Sequence, residues 1–353
     1  MKLYSNITGI FIIWVVAILV IFNLGFSTLP HSGKFGGDFW RSFANWDGGH
    51  YLGIAESGYS EKFQYAFFPL YPLAVKALNG VAQNYLISAV LISLISAFLG
   101  MNLLYKLVAV DFDKKIAEKT IFAALFFPTS FYFLTAYSEG LFFFLVVLTF
   151  YLLRKNKLFL ATIAAALTSA ARPVGLAVVA GFLIEVMITQ GLNRKNWFIL
   201  LSPLGFLIYC IFLYNRTGDP FYFITAENHW QRILVTPGAG FWETLKNIAI
   251  NGFAPAKFNT TLDLLFAVFG VGFAIRTVRF LPISLVVYSV LSVGIPLFTP
   301  TLSSMPRFLL PIFPIFILIA LIKNRYVLFA YKIFSSLLLA IFAALFITGY
   351  WVS

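Results

Sequence analysis

Residues 8–27 read TGIFIIWVVAILVIFNLGFS, an apolar run without a charged side chain. A helix of about 20 apolar residues is long enough to cross the roughly 30 Å hydrocarbon core of a bilayer. No water is available there, so the backbone of such a run bonds to itself as an α-helix. The segment therefore predicts a transmembrane helix. No clear small-residue cleavage site follows it, and we expect a retained anchor rather than a signal peptide.

Similar apolar runs recur along the whole chain. Hydrophobic residues make up 61% of the 353 residues and charged residues 11%, against roughly 25% charged in a soluble domain. This composition excludes a soluble globular protein and predicts an all-α polytopic membrane protein with about eleven spans. The predicted spans are 8–27, 83–108, 120–137, 139–153, 158–171, 173–190, 197–214, 259–275, 281–298, 308–322 and 327–350.

The net charge of +12 is explained by membrane topology. When the spans are threaded alternately, most Lys and Arg residues fall in short loops on one side, which marks the cytoplasmic face. The N-terminus, with Lys2, is then cytoplasmic. Two long loops, about 28–66 and 215–258, and the C-terminus face outward, so nucleic acid is not needed to explain the basic charge. The chain shows no repeat or long linker, and we expect a single domain over 1–353.

The first outer loop carries the first candidate for chemistry. It is rich in Trp, Phe and Tyr, and we expect its helices to lie at the membrane interface. Asp47 precedes a predicted helix from Gly48 to Ser57 and has two interpretations: an N-cap for that helix, or a general base that takes a proton from an attacking hydroxyl. His50 lies one turn further on the same face, as a packing residue or a proton carrier.

Two arginines interrupt apolar sequence at predicted outer helix ends. Arg172 stands before Pro173 in the otherwise uncharged stretch 158–183, and Arg307 precedes the predicted span 308–322. Each is either a residue whose side chain reaches the interface or a phosphate-binding residue. The second interpretation is open because a guanidinium binds phosphate oxygens through a bidentate fork.

Three further residues at the predicted outer rim are secondary candidates for substrate binding. Glu139 follows Ser138, which is typical of an N-cap with an acid in the first helical turn. His229 and Arg232, in the second long loop, have the i, i+3 spacing of a helix face that is either solvated or turned toward a ligand.

The sequence lacks the motifs that bind soluble nucleotide donors. It has no Walker loop, no GxGxxG after a strand and no Asp-x-Asp pair for a metal-bound nucleotide. One Cys and three His exclude a disulfide scaffold and a zinc site built on Cys and His clusters. If the protein transfers a group, we expect the donor to be carried by a lipid and to enter from the bilayer.

Several motifs in these regions resemble the PIG-V mannosyltransferase family. The resemblance covers most of the chain and keeps the order of the motifs. The matching motifs are Trp46-Asp47-Gly48-Gly49-His50-Tyr51, Ile54-Ala55, Gly58-Tyr59, Phe67-Phe68-Pro69-Leu70-Tyr71-Pro72, Pro128-Thr129-Ser130, Tyr137-Ser138-Glu139, Arg172-Pro173-Val174-Gly175 and Arg307-Phe308 with Pro311.

The resemblance implies a GT-C-type glycosyltransferase in which an acid of the first outer loop is the base, a role that falls to Asp47. Eukaryotic members add the second mannose to GPI-anchor precursors from dolichyl-phosphate mannose in the ER lumen. Many GT-C enzymes pair two acids in this loop, whereas the acids nearest to Asp47 in sequence are Asp38 and Glu56. We therefore expect no metal and no other cofactor. Nothing identifies a GPI acceptor, so a prokaryotic relative that acts on a glycolipid, glycan or protein also fits.

These observations and the resemblance predict an inverting hexosyltransferase that moves a hexose, with mannose as the first choice, from a polyprenyl- or dolichyl-phosphate donor to an acceptor hydroxyl on the outward side of the membrane. That membrane is the plasma membrane in a prokaryote or the ER membrane in a eukaryote. Asp47 is the expected base, and Arg172 and Arg307 are expected to bind the donor phosphate. The alternative is a polytopic transporter or lipid flippase. Transporters place charged sites near the bilayer midplane, whereas these candidates gather at the outer rim.

Overall fold

The all-α prediction is confirmed. A computed structural model describes residues 7–32, 35, 37–251 and 258–352. The structure is 77% helical, and the described residues contain no strand. Lys2, which contributes to the predicted orientation, lies outside the described residues.

Sixteen α-helices occur among the described residues. They are α1 Ile7–Thr28, α2 Asp47–Ser57, α3 Leu70–Ala82, α4 Tyr85–Asp111, α5 Lys114–Leu125, α6 Glu139–Arg154, α7 Leu158–Ala171, α8 Gly175–Gln190, α9 Leu204–Thr217, α10 Tyr222–Ala226, α11 Ala239–Asn251, α12 Phe258–Phe280, α13 Ile283–Gly294, α14 Met305–Leu309, α15 Phe313–Ala320 and α16 Arg325–Ile347. The same part of the chain contains six 3₁₀ turns, at Arg41–Ala44, Lys62–Ala66, Ser130–Leu134, Trp197–Leu201, Glu227–Trp230 and Ile295–Phe298.

Five helical segments of the described chain are long and apolar enough to cross a membrane, as an integral membrane protein requires. They are Ile7–Thr28, Tyr85–Asp111, Trp197–Thr217, Asn259–Phe280 and Arg325–Ile347. Shorter apolar helices occupy Leu158–Ala171, Gly175–Gln190 and Ile283–Phe298. The expected count of about eleven spans is therefore not confirmed. The interfacial position of the first-loop helices stays a prediction.

Two predicted spans are wrong as single helices, and proline accounts for both. In 120–137, α5 ends at Leu125 before Pro128, and only a 3₁₀ turn follows. The hydroxyl of Ser130 donates to the Leu125 carbonyl left without a helical partner, at 2.5 Å. In 308–322, Pro311 separates α14 from the eight-residue α15. A proline lacks the amide hydrogen that continues a helix and disfavours helical backbone in the residue before it.

The chain divides into two compact units. Unit 1 comprises Met1–Gly58, Leu70–Asn156 and Phe316–Val352, and unit 2 comprises Tyr59–Pro69 and Lys157–Ile315. The expectation of a single domain over 1–353 stays a prediction. Both units are formed by segments distant in sequence, so neither could be delimited from composition alone.

Unit 1 is built around α4, which contacts α3, α5 and α6. Gly140, the second residue of α6, lies against the backbone of Ser93 in α4 so closely that a Cβ at position 140 would overlap the Ser93 carbonyl oxygen. The helices α1 and α16 approach at Gly25, where a Cβ would lie 2.8 Å from the Ala344 Cα. Small residues let apolar helices approach this closely, which is how helices commonly pack in membranes.

Unit 2 packs α8 between α7 and α13. Glu185 of α8, which is 8% exposed, accepts a hydrogen bond from the Ser284 amide at 3.2 Å. Ser284 is the second residue of α13, and the amides of a first helical turn have no partner within their helix. The buried carboxylate of Glu185 therefore caps the start of a neighbouring helix.

Candidate functional site

The seven candidate residues are divided between the two units. Unit 1 contains Asp47, His50 and Glu139, and unit 2 contains Arg172, His229, Arg232 and Arg307.

Asp47 is the first residue of α2, and its side chain is partly buried. The N-cap interpretation is wrong, because Trp46 occupies the N-cap position and forms no side-chain cap bond. A carboxylate in the first helical turn is still favoured by the partial positive charge of the helix N-terminus. His50 follows one turn later in α2 and is also partly buried. The role of Asp47 as a general base stays a prediction.

Two small residues follow Asp47 and allow a close approach of backbone. A Cβ at Gly48 would lie 3.3 Å from both the Ala136 oxygen and the Tyr137 ring. A Cβ at Gly49 would lie 3.5 Å from the Ala44 oxygen. The Ala136 amide in turn donates to the Phe43 carbonyl at 3.0 Å. The start of α2 is therefore packed tightly against the segment that precedes α6.

Glu139, the first residue of α6, is buried, with 1% of its surface exposed. Ser138 occupies the N-cap position but forms no cap bond. Its hydroxyl instead shares a 2.8 Å hydrogen bond with the Tyr51 hydroxyl of α2. This bond ties the helix that carries Asp47 to the start of α6.

A buried tyrosine completes this polar cluster of unit 1. The Tyr71 hydroxyl donates to the Ala89 carbonyl at 3.0 Å and lies 2.9 Å from the Ser93 hydroxyl. Burial raises the pKa of the Tyr71 phenol well above its usual value, and it outweighs the hydrogen bond to Ser93, which lowers that pKa. Tyr71 is therefore neutral and remains a hydrogen-bond donor at physiological pH. Tyr51 and Tyr71 belong to the motifs that resemble the family but not to the predicted site residues, and Ser93 belongs to neither set.

In unit 2, Arg232 and Arg307 both lie close to one aromatic ring. Their guanidinium carbons lie 4.7 and 5.8 Å from the centre of the Phe308 ring. Arg307 is 7% exposed, so it is not an interfacial residue that reaches water. Arg232 donates to the Ser303 carbonyl at 2.6 Å and forms an ion pair with Glu227 at 3.9 Å. The structure thus brings together two candidate cations that are far apart in sequence.

An acid that sequence reasoning missed belongs to the same region. Asp263 of α12 is 5% exposed and accepts from the amide of Met305, the first residue of α14, at 3.2 Å. Arg307 is on that short helix. The available signal was an acidic residue inside an apolar span, which is costly in a membrane and is usually retained for a purpose.

The predicted helix face of His229 and Arg232 does not form. The 3₁₀ turn ends at Trp230, and Gln231 has φ 59°, in the left-handed region, so Arg232 lies beyond the helical turn. His229 is exposed and stacks on Phe63 with ring centres 4.3 Å apart. The two residues therefore have different surroundings.

Arg172 lies in the break between α7 and α8 and is partly buried. Its backbone is extended, with φ −157° and ψ 152°, as expected for a residue before proline. The Tyr288 hydroxyl of α13, in the same unit, donates to the Pro311 carbonyl at 2.9 Å. Arg172 is therefore partly enclosed within unit 2 and is not a fully exposed residue at a helix tip.

The described residues contain no group of three or more His, Cys, Asp or Glu side chains that could hold a metal ion. Whether the protein needs a metal or another cofactor stays a matter of prediction.

Solved structures with a similar fold include ArnT from Cupriavidus metallidurans, bound to undecaprenyl phosphate and in the apo state. The TM-scores are 0.54 and 0.52, with 16% and 15% sequence identity over 93% of this chain. This chain spans 62% of the length of ArnT. At this identity the likeness concerns the fold alone, and it agrees with the expected GT-C-type fold. An oligosaccharyltransferase from Archaeoglobus fulgidus has a TM-score of 0.46 at 16% identity, over 96% of this chain and 53% of its own.

Sequence comparison identifies the family. No curated protein sequence matches the chain. A sequence profile described as mannosyltransferase (PIG-V) matches residues 33–213, just over half of the chain. The matched region includes Asp47, His50, Glu139 and Arg172. The chain therefore belongs to the PIG-V mannosyltransferase family.

Proposed function

We propose that the protein is an inverting glycosyltransferase that moves a hexose, with mannose as the first choice, from a polyprenyl- or dolichyl-phosphate donor to an acceptor hydroxyl. The proposal places the reaction on the outward side of the membrane. The observation that carries it is the position of Asp47, which starts a helix inside the region matched by the family profile. The acceptor is a glycolipid, a glycan or a protein.

In the proposed reaction the Asp47 carboxylate accepts the proton of the acceptor hydroxyl. The oxygen then attacks the anomeric carbon on the face opposite the phosphate. A new glycosidic C–O bond forms while the bond between the anomeric carbon and the phosphate oxygen breaks. The polyprenyl phosphate leaves with that electron pair, and the configuration at the anomeric carbon is inverted. A positioned base of this kind typically contributes a factor of about 10²–10⁴ in rate.

The leaving phosphate needs positive charge at the point where negative charge develops. Arg172 and Arg307 are our candidates for this role, and the proximity of Arg232 to Arg307 at Phe308 adds a third. A lipid-phosphate donor is supported by ArnT, which has the same fold and is bound to undecaprenyl phosphate. His50, Glu139 and His229 stay secondary candidates for substrate binding.

The direct test is an assay of the purified protein with labelled polyprenyl-phosphate mannose and a panel of glycolipid acceptors. We expect label to move to at least one acceptor, with inverted anomeric configuration. Reconstituted vesicles that redistribute the labelled lipid between leaflets without any transfer would favour a flippase instead.

A further inference from the structure

Trp46, the residue before Asp47, has an unusual backbone conformation. Its φ is 58° and its ψ is −120°. Left-handed φ values are uncommon for bulky residues and persist only where the surrounding structure enforces them. Trp46 sets the direction in which the chain enters α2, so whatever enforces its conformation also fixes the backbone position of Asp47.

The enforcing contacts come from the segment that follows α16. The Trp46 indole Nε1–H donates to the Tyr350 carbonyl at 3.3 Å. The Trp46 ring packs edge to face against Trp351, with ring centres 5.1 Å apart. That segment is held in turn by the Tyr132 hydroxyl, which donates to the Val352 carbonyl at 2.8 Å. We name residues Tyr350–Val352 the clasp.

The residue before Trp46 is fixed from two further directions. Asn45 is 2% exposed, and its side-chain amide donates to the Phe346 carbonyl at 2.9 Å. Its backbone carbonyl accepts from the Tyr137 hydroxyl at 2.8 Å. The Tyr137 ring also packs against Gly48. The residues on either side of Asp47, Trp46 and Gly48, therefore both contact distant segments of unit 1.

We propose that Asn45, Trp46, Tyr137 and Trp351 are positioning residues that hold Asp47 in its reactive geometry. This inference rests on the proposed role of Asp47 as the base. None of the four needs to contact substrate, and their effect reaches the reaction through the backbone on either side of Asp47. Misplacement of a reacting group by about 1 Å can cost on the order of 100-fold in rate.

The test compares kcat and KM of Tyr137→Phe and Trp351→Ala with those of the unchanged protein. Tyr137→Phe removes only the hydroxyl that donates to the Asn45 carbonyl. Trp351→Ala removes the ring that packs against Trp46. We expect kcat to fall about 10- to 100-fold with KM for the donor within about twofold. Trp351→Phe keeps an aromatic ring and should recover most of the loss.

The matched control is Tyr331→Phe, which removes a phenol bond to the Ala123 carbonyl near the other end of α16. It should lower Tm by about as much as Tyr137→Phe and leave kcat unchanged. Equal kcat values for Tyr137→Phe, Trp351→Ala and the unchanged protein would overturn the inference. A fall in kcat for the control that matches the fall in Tyr137→Phe would also overturn it.

A double-mutant cycle separates positioning from general destabilisation. Asp47→Glu shifts the carboxylate by one methylene group and should cost the unchanged protein about 100-fold in kcat. In the Trp351→Ala background the same change should cost clearly less, because the base is already displaced. Additive effects would contradict positioning. If Asp47→Asn transfers sugar at the normal rate, the proposed function itself fails; if Asp47→Asn is inactive but the cycle is additive, only the clasp inference fails.

Discussion

At the residue scale, two charged candidate residues are buried within the protein. Arg307 and Glu139, both predicted at the outer rim, are 7% and 1% exposed. Burial depends on which distant segments pack around a side chain, and a single sequence does not specify that. The sequence also does not specify that Arg232 and Arg307 both lie near Phe308, because the two arginines belong to different segments of unit 2.

Arg307 provides a test of the proposed phosphate contact. Arg307→Lys keeps the positive charge but loses the planar fork that binds two phosphate oxygens. A hydrogen bond to a charged group is worth about 1.5–3 kcal/mol, and Lys retains part of it, so we expect KM for the donor to rise about 10-fold. Initial rates at varied donor concentration measure the change, with Tm as a check on folding.

Arg216→Lys is the matched control. Arg216 is an exposed arginine of unit 2 whose guanidinium carbon lies 5.7 Å from the Phe212 ring centre, so it shares the aromatic contact but not the proposed role. Its KM should be unchanged. An unaltered donor KM in Arg307→Lys would remove Arg307 from the phosphate site.

At the element scale, periodicity and hydropathy predicted most helices to within a few residues. The predicted spans 139–153 and 158–171 correspond to Glu139–Arg154 and Leu158–Ala171. The failures lie where polar or proline residues interrupt apolar sequence. Ser130 replaces the lost helical bond at the end of α5, and such a local exchange of partners is invisible to a hydropathy average.

Helix packing gives a second prediction. Gly140→Ala would place a methyl group on the Ser93 carbonyl oxygen and force α4 and α6 apart. We expect a loss of about 1–3 kcal/mol in the free energy of unfolding, as is usual for overpacked cores. The change in Tm of the detergent-solubilised protein measures it.

Gly80→Ala is the control for this change. Gly80 lies in α3 with no atom within 4 Å of an added Cβ. Alanine favours a helix over glycine by up to about 1 kcal/mol, so stability should be unchanged or slightly higher. Equal Tm values for Gly140→Ala and Gly80→Ala would show that the α4–α6 contact is looser than described.

At the scale of the whole molecule, the fold class followed from composition, whereas the division into two units did not. Unit 1 contains residues from near both ends of the chain. The segment Tyr59–Pro69 belongs to unit 2, although the helices on either side of it, α2 and α3, belong to unit 1. Such long-range assembly leaves no periodic signal in the sequence. The clasp is a further example, because it joins Trp46 to residues about 300 positions later.

The proposed orientation is a prediction about the whole chain. Ser60 lies in the first long loop, expected outside, and Lys195 in a basic loop expected inside; both are exposed. In a Cys210→Ser background, which removes the single cysteine, Ser60→Cys should react with a membrane-impermeant maleimide in intact cells or sealed vesicles of native orientation. Lys195→Cys should react only after permeabilisation. The reverse pattern would invert the topology and place Asp47 on the cytoplasmic side.

In the proposed reaction, Asp47 accepts the proton of the acceptor hydroxyl, which attacks the anomeric carbon of a sugar carried on polyprenyl phosphate. The most direct measurement is the single-turnover rate of sugar transfer by Asp47→Asn, with binding of polyprenyl phosphate measured on the same preparation. We expect a rate at least about 100-fold below that of the unchanged protein, with the affinity for the lipid phosphate within about twofold. Transfer at the normal rate by Asp47→Asn would contradict it.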